Sequence, residues 1–247
     1  MGEEEGDSQS LLDSYRTVRN RSFEKRLLLS HRTHVFRSNV IYELPLGKKG
    51  KLFTGAPAGV DRVIGGWQVS SVFNVFTGQP LTLLSERNSF NNFGGDNTPS
   101  AMGRVDKGLG EVLVTGAGVQ YFNGLKTVTD PSVAGMTTLQ NIRSSSALFA
   151  VADSQGNLLF RNPVAGELGN VSAGLLFGPG SFRLDMRLAK TVRIDEKRDV
   201  QFTLDAENAT NTPQWGNPNV TINSVNFGRI TTATGVRLLL VGARITF

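Results

Sequence analysis

Residues 181–207 have the sequence SFRLDMRLAKTVRIDEKRDVQFTLDAE, and this stretch decides the fold. From Phe182 to Ile194 the even-numbered positions are apolar except for Lys190, while the odd-numbered positions are mostly polar or charged. The same parity resumes from Val200 to Ala206. Alternation with a period of two predicts two β-strands, and the polar residues 195–199 between them predict a hairpin turn.

The predicted hairpin has one apolar face and one charged face. Hydrocarbon on one side and water on the other would explain both faces, as in the wall of a membrane β-barrel. We predict that the charged side chains face an aqueous lumen and meet one another there, rather than act as a general acid and base. These lumen-facing charges are Arg183, Asp185, Arg187, Asp205 and Glu207.

The register of the hairpin follows from the same pattern. Both runs keep their parity around Lys197, so symmetrical pairing predicts Arg193 opposite Gln201 and Arg187 opposite Glu207. Lys190 is the exception on the apolar face. A lipid-facing lysine at the bilayer midplane costs roughly 2–4 kcal/mol, so we expect either a bulge at this position or a snorkelling side chain nearer the interface.

Three further segments alternate in the same way, and together they give about five long strands in an antiparallel sheet. His34 to Leu44 predicts a strand that Pro45 ends, and Trp67 to Val75 predicts another that continues to Leu84. Val236 to Phe247 predicts a last strand, which ends on an aromatic residue. The expected fold class is therefore all-β, an up-and-down transmembrane β-barrel segment whose five strands form an open, curved sheet with bare edges at the first and last strands.

The remaining segments lack sustained periodicity. Residues 1–33 predict a poorly ordered loop with one helical turn around Leu11 and Leu12, and residues 34–247 are expected to form the barrel part. Within the barrel part, residues 86–180 predict a long extracellular loop, a length that outer-membrane barrels tolerate. A small hairpin is predicted inside this loop, with Ser146–Val151 and Asn157–Arg161 on either side of a turn at residues 153–156.

The composition agrees with a β-rich chain and argues against several classes of protein and of binding site. The chain has 247 residues, of which 39% are hydrophobic, 19% are charged and 28 are glycine. It contains no cysteine, so neither a disulfide nor a cysteine metal site can form. No run approaches the ~18 apolar residues of a membrane helix. The net charge of +5 comes from scattered basic residues with acids nearby, which does not favour a nucleic-acid partner.

The sequence offers few candidates for a catalytic, metal-binding or cofactor-binding site. His31 and His34 are the only histidines, and a metal site would need further ligands that the sequence does not offer. Residues 169–174 miss the G-x-S-x-G nucleophile motif by one position at Ser172, and no phosphate-binding or dinucleotide-binding motif is present. We therefore expect no enzyme activity, no metal and no cofactor.

Several short motifs follow one another along residues 30–247. They are His31-Arg32-Thr33-His34-Val35-Phe36, Tyr42-Glu43-Leu44-Pro45-Leu46-Gly47, Gly65-Gly66-Trp67-Gln68-Val69-Ser70, Thr77-Gly78-Gln79-Pro80, Tyr121-Phe122-Asn123, Gly178-Pro179-Gly180, Asn208-Ala209-Thr210-Asn211, Gly216-Asn217-Pro218 and Asn226-Phe227-Gly228-Arg229-Ile230. With these motifs in this order, the chain resembles the C-terminal barrel region of TonB-dependent outer-membrane receptors, in particular the Oar-like branch, whose full-length members carry an N-terminal carboxypeptidase-regulatory-like domain. The chain departs from that family at His31, where an acid is usual, and at Leu238 and Leu240, which replace polar residues.

The resemblance implies a location in the cell outer membrane and a set of partners. The terminal Phe247, with Ile245, would be the signal that the outer-membrane assembly machinery reads. Tyr42, Trp67 and Phe182 would be interfacial aromatics against outer-membrane lipid. Because residues that match the plug domain, the TonB box or an export signal are not present in the sequence, we expect the chain to be a piece of a longer protein, which reaches TonB through its N-terminal part.

The first functional expectation is therefore a wall and loop segment of a TonB-dependent receptor that takes up an unidentified nutrient. The alternative is a soluble β-sandwich used for adhesion or carbohydrate binding. The two differ in the apolar face of the sheet, because a sandwich buries this face against a second sheet while a barrel exposes it in a band. The one sequence feature that favours an enzyme is the near-match to the nucleophile motif around Ser172.

Overall fold

The protein is described here as a computed structural model that covers residues 3–5, 25–48, 50–85, 97–106, 108–131, 149–164, 166–195 and 198–247. Its contacts divide the chain into two compact units. The sheet unit consists of His34–Phe76, Ser181–Gln214 and Ala233–Phe247. The loop unit consists of Met1–Thr33, Thr77–Gly180 and Trp215–Thr232.

The described elements are almost all β-strands, with one short helix, α1, at Ala58–Ile64. In chain order the strands are β1 Glu3–Glu5, β2 Lys25–Leu27, β3 Val35–Glu43, β4 Trp67–Phe76, β5 Pro80–Leu81, β6 Ser100–Ala101, β7 Leu113–Thr115, β8 Gly118–Gln120, β9 Lys126–Thr129, β10 Phe149–Ala152, β11 Leu158–Arg161, β12 Leu176–Phe177, β13 Ser181–Arg193, β14 Asp199–Glu207, β15 Gln214–Trp215, β16 Arg229–Ile230, β17 Ala233–Thr234 and β18 Leu238–Thr246.

The five long strands form one antiparallel sheet in the sheet unit, in the order β18-β14-β13-β4-β3. This confirms the predicted all-β class and the five strands, whose observed ends differ from the predicted ones by a few residues. Among the described strands, β3 and β18 each have a neighbour on one side only, so they are the two edges of the sheet.

The predicted register of the β13–β14 hairpin is wrong by two residues. Arg193 lies opposite Asp199 rather than Gln201, and Arg187 lies opposite Asp205 rather than Glu207. The turn is tighter than the sequence suggested, because the Ile194 N–H donates to the Arg198 carbonyl at 3.0 Å. Since a shift of two residues preserves parity, every side chain stays on its predicted face.

The predicted continuation of β4 to Leu84 is also wrong. β4 ends at Phe76, and the next strand, β5, pairs with β12 in a separate two-stranded sheet of the loop unit. Pro80 opens β5 and has no backbone N–H to contribute to a longer ladder. The polar residues 77–79 are therefore a true break between two sheets.

The segment predicted as a long loop, residues 86–180, has more structure than its sequence pattern indicated. Strands β6 to β12 lie within it, and none of them exceeds four residues. They surround a hydrophobic core that belongs to the loop unit, formed by Leu81, Leu83, Tyr121, Phe122, Val151, Phe160, Val171, Leu176, Ile222, Phe227 and Ile230. Strands this short contain too few residues for alternation to be visible in sequence.

The predicted small hairpin is present as the pair β10–β11. At its turn, Asp153 Oδ1 accepts the backbone N–H groups of Gln155 at 2.9 Å and Asn157 at 2.8 Å. The hydrogen bond from the Asn157 side chain, with these backbone bonds, lowers the pKa of the Asp153 carboxyl. Nearer the N-terminus, β1 pairs with β2, and the helical turn predicted around Leu11 and Leu12 lies outside the described residues.

Candidate functional site

The sheet has one largely apolar face that extends across all five strands. Residues opposite each other in adjacent strands share a face, so the register defines its members. They are Phe36, Ser38, Val40, Tyr42, Trp67, Val69, Ser71, Phe73, Val75, Phe182, Leu184, Met186, Leu188, Lys190, Val192, Val200, Phe202, Leu204, Ala206, Leu239, Val241, Ala243 and Ile245. Only Ser38, Ser71 and Lys190 interrupt its apolar character.

This apolar face is open rather than covered by a second sheet. The side chains of Phe36, Val241 and Ile245 are 57%, 85% and 59% exposed. Phe73 stands between Phe36 and Phe182, with ring centroids 5.7 Å and 5.2 Å apart in edge-to-face geometry, so the aromatics form a continuous surface across three strands. A β-sandwich would bury these residues. The alternative of a soluble β-sandwich is therefore contradicted.

The opposite face carries the five charges that the sequence singled out, and the structure brings them together. Arg187 binds Asp205 with two guanidinium nitrogens, of which Nη2 lies 2.8 Å from Oδ2. Arg183 donates from Nε to both carboxylate oxygens of Asp185 at 2.9 Å and reaches Glu207 Oε2 from Nη2 at 3.4 Å. Each basic group thus lies against carboxylates, in the geometry of charge-assisted hydrogen bonds.

Asn208 binds a carboxylate of this face, although the sequence identifies it only as part of a motif. It lies directly after β14 with a positive φ of 47°, and it is almost fully buried. Its backbone N–H donates to Asp185 Oδ1 at 2.7 Å, and its side chain binds the Thr212 carbonyl and N–H at 2.9 Å and 3.1 Å. An asparagine that tolerates the left-handed region could have been recognised as the end of the strand.

The expected bulge at Lys190 is wrong, because β13 pairs without interruption with both neighbours through this position. Lys190 lies opposite Trp67, the first residue of β4, and therefore near the end of the sheet. Its Nζ donates to the Gly65 carbonyl and lies 5.3 Å from the centroid of the Trp67 ring. This placement agrees with the expected position near an interface.

The predicted interfacial aromatics lie near the ends of the strands, all on the apolar face. Tyr42 is the second-last residue of β3, and Trp67 is the first residue of β4 at the same end of the sheet. Phe182 is the second residue of β13, at the opposite end. Phe247 follows β18 and is 90% exposed, and Ile245 lies on the apolar face opposite Val200.

Two motifs of the resemblance meet in the loop unit. The Gly178 N–H donates to the Gln79 carbonyl at 2.8 Å, which joins residues 77–80 to residues 178–180. A Cβ atom built on Gly78 would lie 1.7 Å from the Gly178 carbonyl oxygen, so only glycine fits where the two backbones cross. No pattern in the sequence explains these glycines, and this close approach of the two backbones does.

A second pair of motifs meets in the core of the same unit. The Tyr121 N–H donates to the Gly228 carbonyl at 2.8 Å, and the rings of Phe122 and Phe227 stack with centroids 5.3 Å apart. The Tyr121 hydroxyl donates to the Phe177 carbonyl at 2.9 Å, and burial raises the pKa of this phenol. Residues separated by about a hundred positions along the chain thus form one packed cluster.

A buried polar network ties further segments of the loop unit together. Asn162 donates to Asp130 Oδ2 from its side chain at 2.7 Å and from its backbone at 3.1 Å. Asn223 donates to Asn162 Oδ1 at 2.8 Å and accepts the Phe149 N–H at 3.1 Å. Satisfied buried networks of this kind fix a single arrangement of the segments that they join.

An open recess of about 630 Å³ lies on the loop unit. Arg161 lines it, with Nη2 3.5 Å from Glu167 Oε2, and so does Asn170, whose Oδ1 accepts the Ala101 N–H at 2.6 Å. Asn170 belongs to the near-match of the hydrolase motif, where it serves this structural bond while Ser172 is exposed. Within the described ranges, no three His, Cys, Asp or Glu side chains are grouped so that they could hold a metal ion.

A sheet with one exposed apolar face and one ion-paired face is typical of the walls of outer-membrane barrels. The family model described as outer membrane beta barrel domain matches residues 2–240, and the chain belongs to this family. The protein is therefore located in the outer membrane. No curated protein and no solved structure gave a significant match. No helix in the described part of the chain is long and apolar enough to cross a membrane.

Proposed function

We propose that this chain forms wall strands and cell-surface loops of a TonB-dependent outer-membrane receptor of the Oar-like kind, which takes up a nutrient. The observation that carries the proposal is the packing of the loop unit, where four motifs of the resemblance lie against one another in two pairs. A barrel that serves only as a passive pore needs no folded core in its loops, whereas a receptor must hold a fixed recognition surface.

The lengths of two connections between strands of the sheet support one orientation of the proposed receptor in the membrane. The turn between β13 and β14 is short, while the chain between β4 and β13 spans residues 77–180. Outer-membrane barrels have short periplasmic turns and long extracellular loops. In the proposed receptor the connection between β4 and β13 accordingly faces the cell surface, and the turn between β13 and β14 faces the periplasm.

The charged face would then line the lumen, beside the plug of the longer parent protein. Arg183, Asp185, Arg187, Asp205 and Glu207 suit this place because paired charges at a watery interior avoid the cost of exposure to lipid. The recess beside Arg161 and Glu167 offers charged and amide groups, which suit a nutrient with polar groups. The chain itself carries no catalytic role in this proposal.

Three partners complete the proposed receptor. Outer-membrane lipid covers the apolar face, and TonB acts through the N-terminal part of the parent. The assembly machinery engages the edge strand β18, where Ile245 and Phe247 are both exposed.

The test compares nutrient depletion from the growth medium by wild-type cells, cells that lack this gene and cells that lack TonB. We expect at least one compound whose uptake needs both genes and is restored by the wild-type gene. Phe122→Ala, which removes a core ring of the loop unit, should restore less uptake than the control Val225→Ala at an exposed position. Immunoblots of outer membranes correct for protein levels. If no compound depends on both genes, the receptor proposal is wrong.

A further inference from the structure

The connecting segment, residues 44–66, joins β3 to β4 and is a compact element rather than a simple turn. Its first part is folded back by hydrogen bonds from the Lys51 and Leu52 N–H groups to the Pro45 carbonyl, at 3.0 Å and 2.9 Å. Its second part is the helix α1, in which no residue is buried. Asp61 joins the two parts, because its carboxylate accepts the Lys48 N–H at 2.5 Å.

Two side chains of the apolar face hold the C-terminal end of α1. The Trp67 indole donates from Nε1 to the Val63 carbonyl at 3.0 Å, and Lys190 donates from Nζ to the Gly65 carbonyl. The last carbonyls of a helix have no partner within the helix, and a cation near them is favoured by the helix dipole. Because Trp67 and Lys190 both point from the apolar face, the end of α1 lies on that side of the sheet.

The connecting segment exposes an unusual amount of apolar surface for a polar turn. Val63 is 67% exposed, Val60 is 48% exposed, Phe53 is 68% exposed and Leu52 is 54% exposed. A soluble connection would gain nothing from four exposed apolar side chains in so short a stretch. Because Trp67 and Lys190 attach the end of α1 to the apolar face, we infer that the solvent that covers this face also covers the exposed residues of the connecting segment.

The connecting segment is also basic. Lys48 and Lys51 are exposed beside these apolar residues, and the sequence adds Lys49 between them and Arg62 on the helix. Apolar side chains next to lysines and a tryptophan are the composition of segments that lie in the headgroup region of a bilayer. Positive charge at this depth attracts anionic lipid headgroups.

We propose that the connecting segment is a membrane-interface anchor that binds the anionic phospholipid of the periplasmic leaflet. Phe53, Val60 and Val63 enter the boundary between headgroups and acyl chains, and Lys48 and Lys51 contact phosphate groups. Trp67 and Lys190 fix the anchor to the wall of the barrel. This inference rests on the proposed function, because it requires that the apolar face of the sheet lies in lipid.

The test uses the absence of cysteine from the chain, which allows a single environment-sensitive dye at each chosen position. Four variants of the full chain, Phe53→Cys, Val63→Cys, Val241→Cys and Val225→Cys, are labelled and refolded into vesicles of phosphatidylcholine and phosphatidylglycerol. Brominated lipids then quench any dye that contacts lipid. We expect quenching at positions 53 and 63 by shallow bromine atoms, quenching at 241 by deeper ones, and none at 225.

The position of any failure separates the two proposals. If the dye at position 241 is not quenched, the apolar face does not lie in lipid, and both the proposed function and the anchor are overturned. If position 241 is quenched while positions 53 and 63 emit as in water, the anchor alone is overturned, and the connecting segment is then free to bind a periplasmic protein.

The charge component has its own readout in the same vesicles. Quenching at position 63 by brominated phosphatidylglycerol should exceed quenching by brominated phosphatidylcholine. Lys48→Gln, Lys49→Gln and Lys51→Gln together should abolish this preference, which at low salt amounts to about fivefold per lysine. The matched control removes three exposed charges of the loop unit, Arg104→Gln, Lys126→Gln and Arg229→Gln, and should leave the preference unchanged. Equal loss in both variants would refute recognition of anionic lipid.

Discussion

At the scale of single residues, the ion-paired face depends on Asp185 more than its charge alone suggests. Its carboxylate accepts a bifurcated hydrogen bond from the Arg183 Nε–H and one hydrogen bond from the Asn208 N–H, so it joins a charge pair to the end of β14. The sequence predicted the face on which Asp185 lies, since parity decides it. The bond to Asn208 could not be predicted, because it depends on a left-handed backbone conformation after the strand.

Asp185→Asn should therefore lower the free energy of unfolding in detergent micelles by about 1–2 kcal/mol, since an amide keeps the shape but loses the charge-assisted bonds. Asp199→Asn is the matched control, because Asp199 lies on the same face near the turn, away from Arg183 and Asn208. Urea titration followed by tryptophan fluorescence measures both. Equal stability of the two variants would show that the cluster around Asp185 contributes nothing beyond its exposed charges.

The environment of Lys190 could be predicted only in part from the sequence. The sequence identified it as the one charge on the apolar face of β13 and offered two explanations for it. The structure selects the position near the interface, because the carbonyl of Gly65 and the ring of Trp67 receive the ammonium group there. The choice between the two explanations depends on the path of the connecting segment, and no pattern in residues 44–66 predicts that this path returns to the apolar face.

At the scale of elements, parity was predictable and register was not. Alternation fixes which face each residue occupies, and the observed faces of β13 and β14 are those that the sequence predicted. Register also depends on the length of the turn, which Asp195 shortens by accepting the Arg198 N–H at 2.8 Å. The polar composition of residues 195–199 is compatible with either turn.

A pair of disulfide variants distinguishes the two registers. Thr191→Cys with Gln201→Cys joins residues that lie directly opposite each other, a separation that a disulfide can span. Thr191→Cys with Thr203→Cys joins the pair of the symmetrical register, which here lies diagonally at roughly 7–8 Å. We expect the first pair to oxidise readily and the second to remain reduced, as measured by thiol labelling and peptide mass spectrometry. The reverse result would restore the symmetrical register.

The short strands of the loop unit could not be predicted from sequence periodicity, for a different reason. Their core is assembled from segments far apart in sequence, such as residues 121–122 and 227–230, and each contributes only a few buried side chains. Glycines that mark close backbone contact, such as Gly78 against Gly178, carry no periodic signal. The motifs were visible in the sequence, but their mutual packing was not.

At the scale of the whole molecule, the two faces of the sheet place opposite demands on the last strand. Val241 lies on the apolar face opposite Leu204, and Leu240 lies on the ion-paired face opposite Asp205. Both are exposed side chains in the same edge strand, and they differ mainly in the solvent that the barrel assignment gives them. This pair therefore tests the assignment of the entire sheet with neighbouring residues.

Val241→Lys should lower the stability of the chain folded into phosphatidylcholine vesicles by about 2–4 kcal/mol, because a lysine on the lipid-facing side near the middle of a strand must lose its hydration. Leu240→Lys should change stability by much less, because its side chain enters the watery side close to the carboxylate of Asp205. Urea titration of the vesicle-bound protein measures both variants, and wild-type protein in detergent supplies the reference. Equal losses, or a larger loss for Leu240→Lys, would mean that the apolar face is not the one that meets lipid.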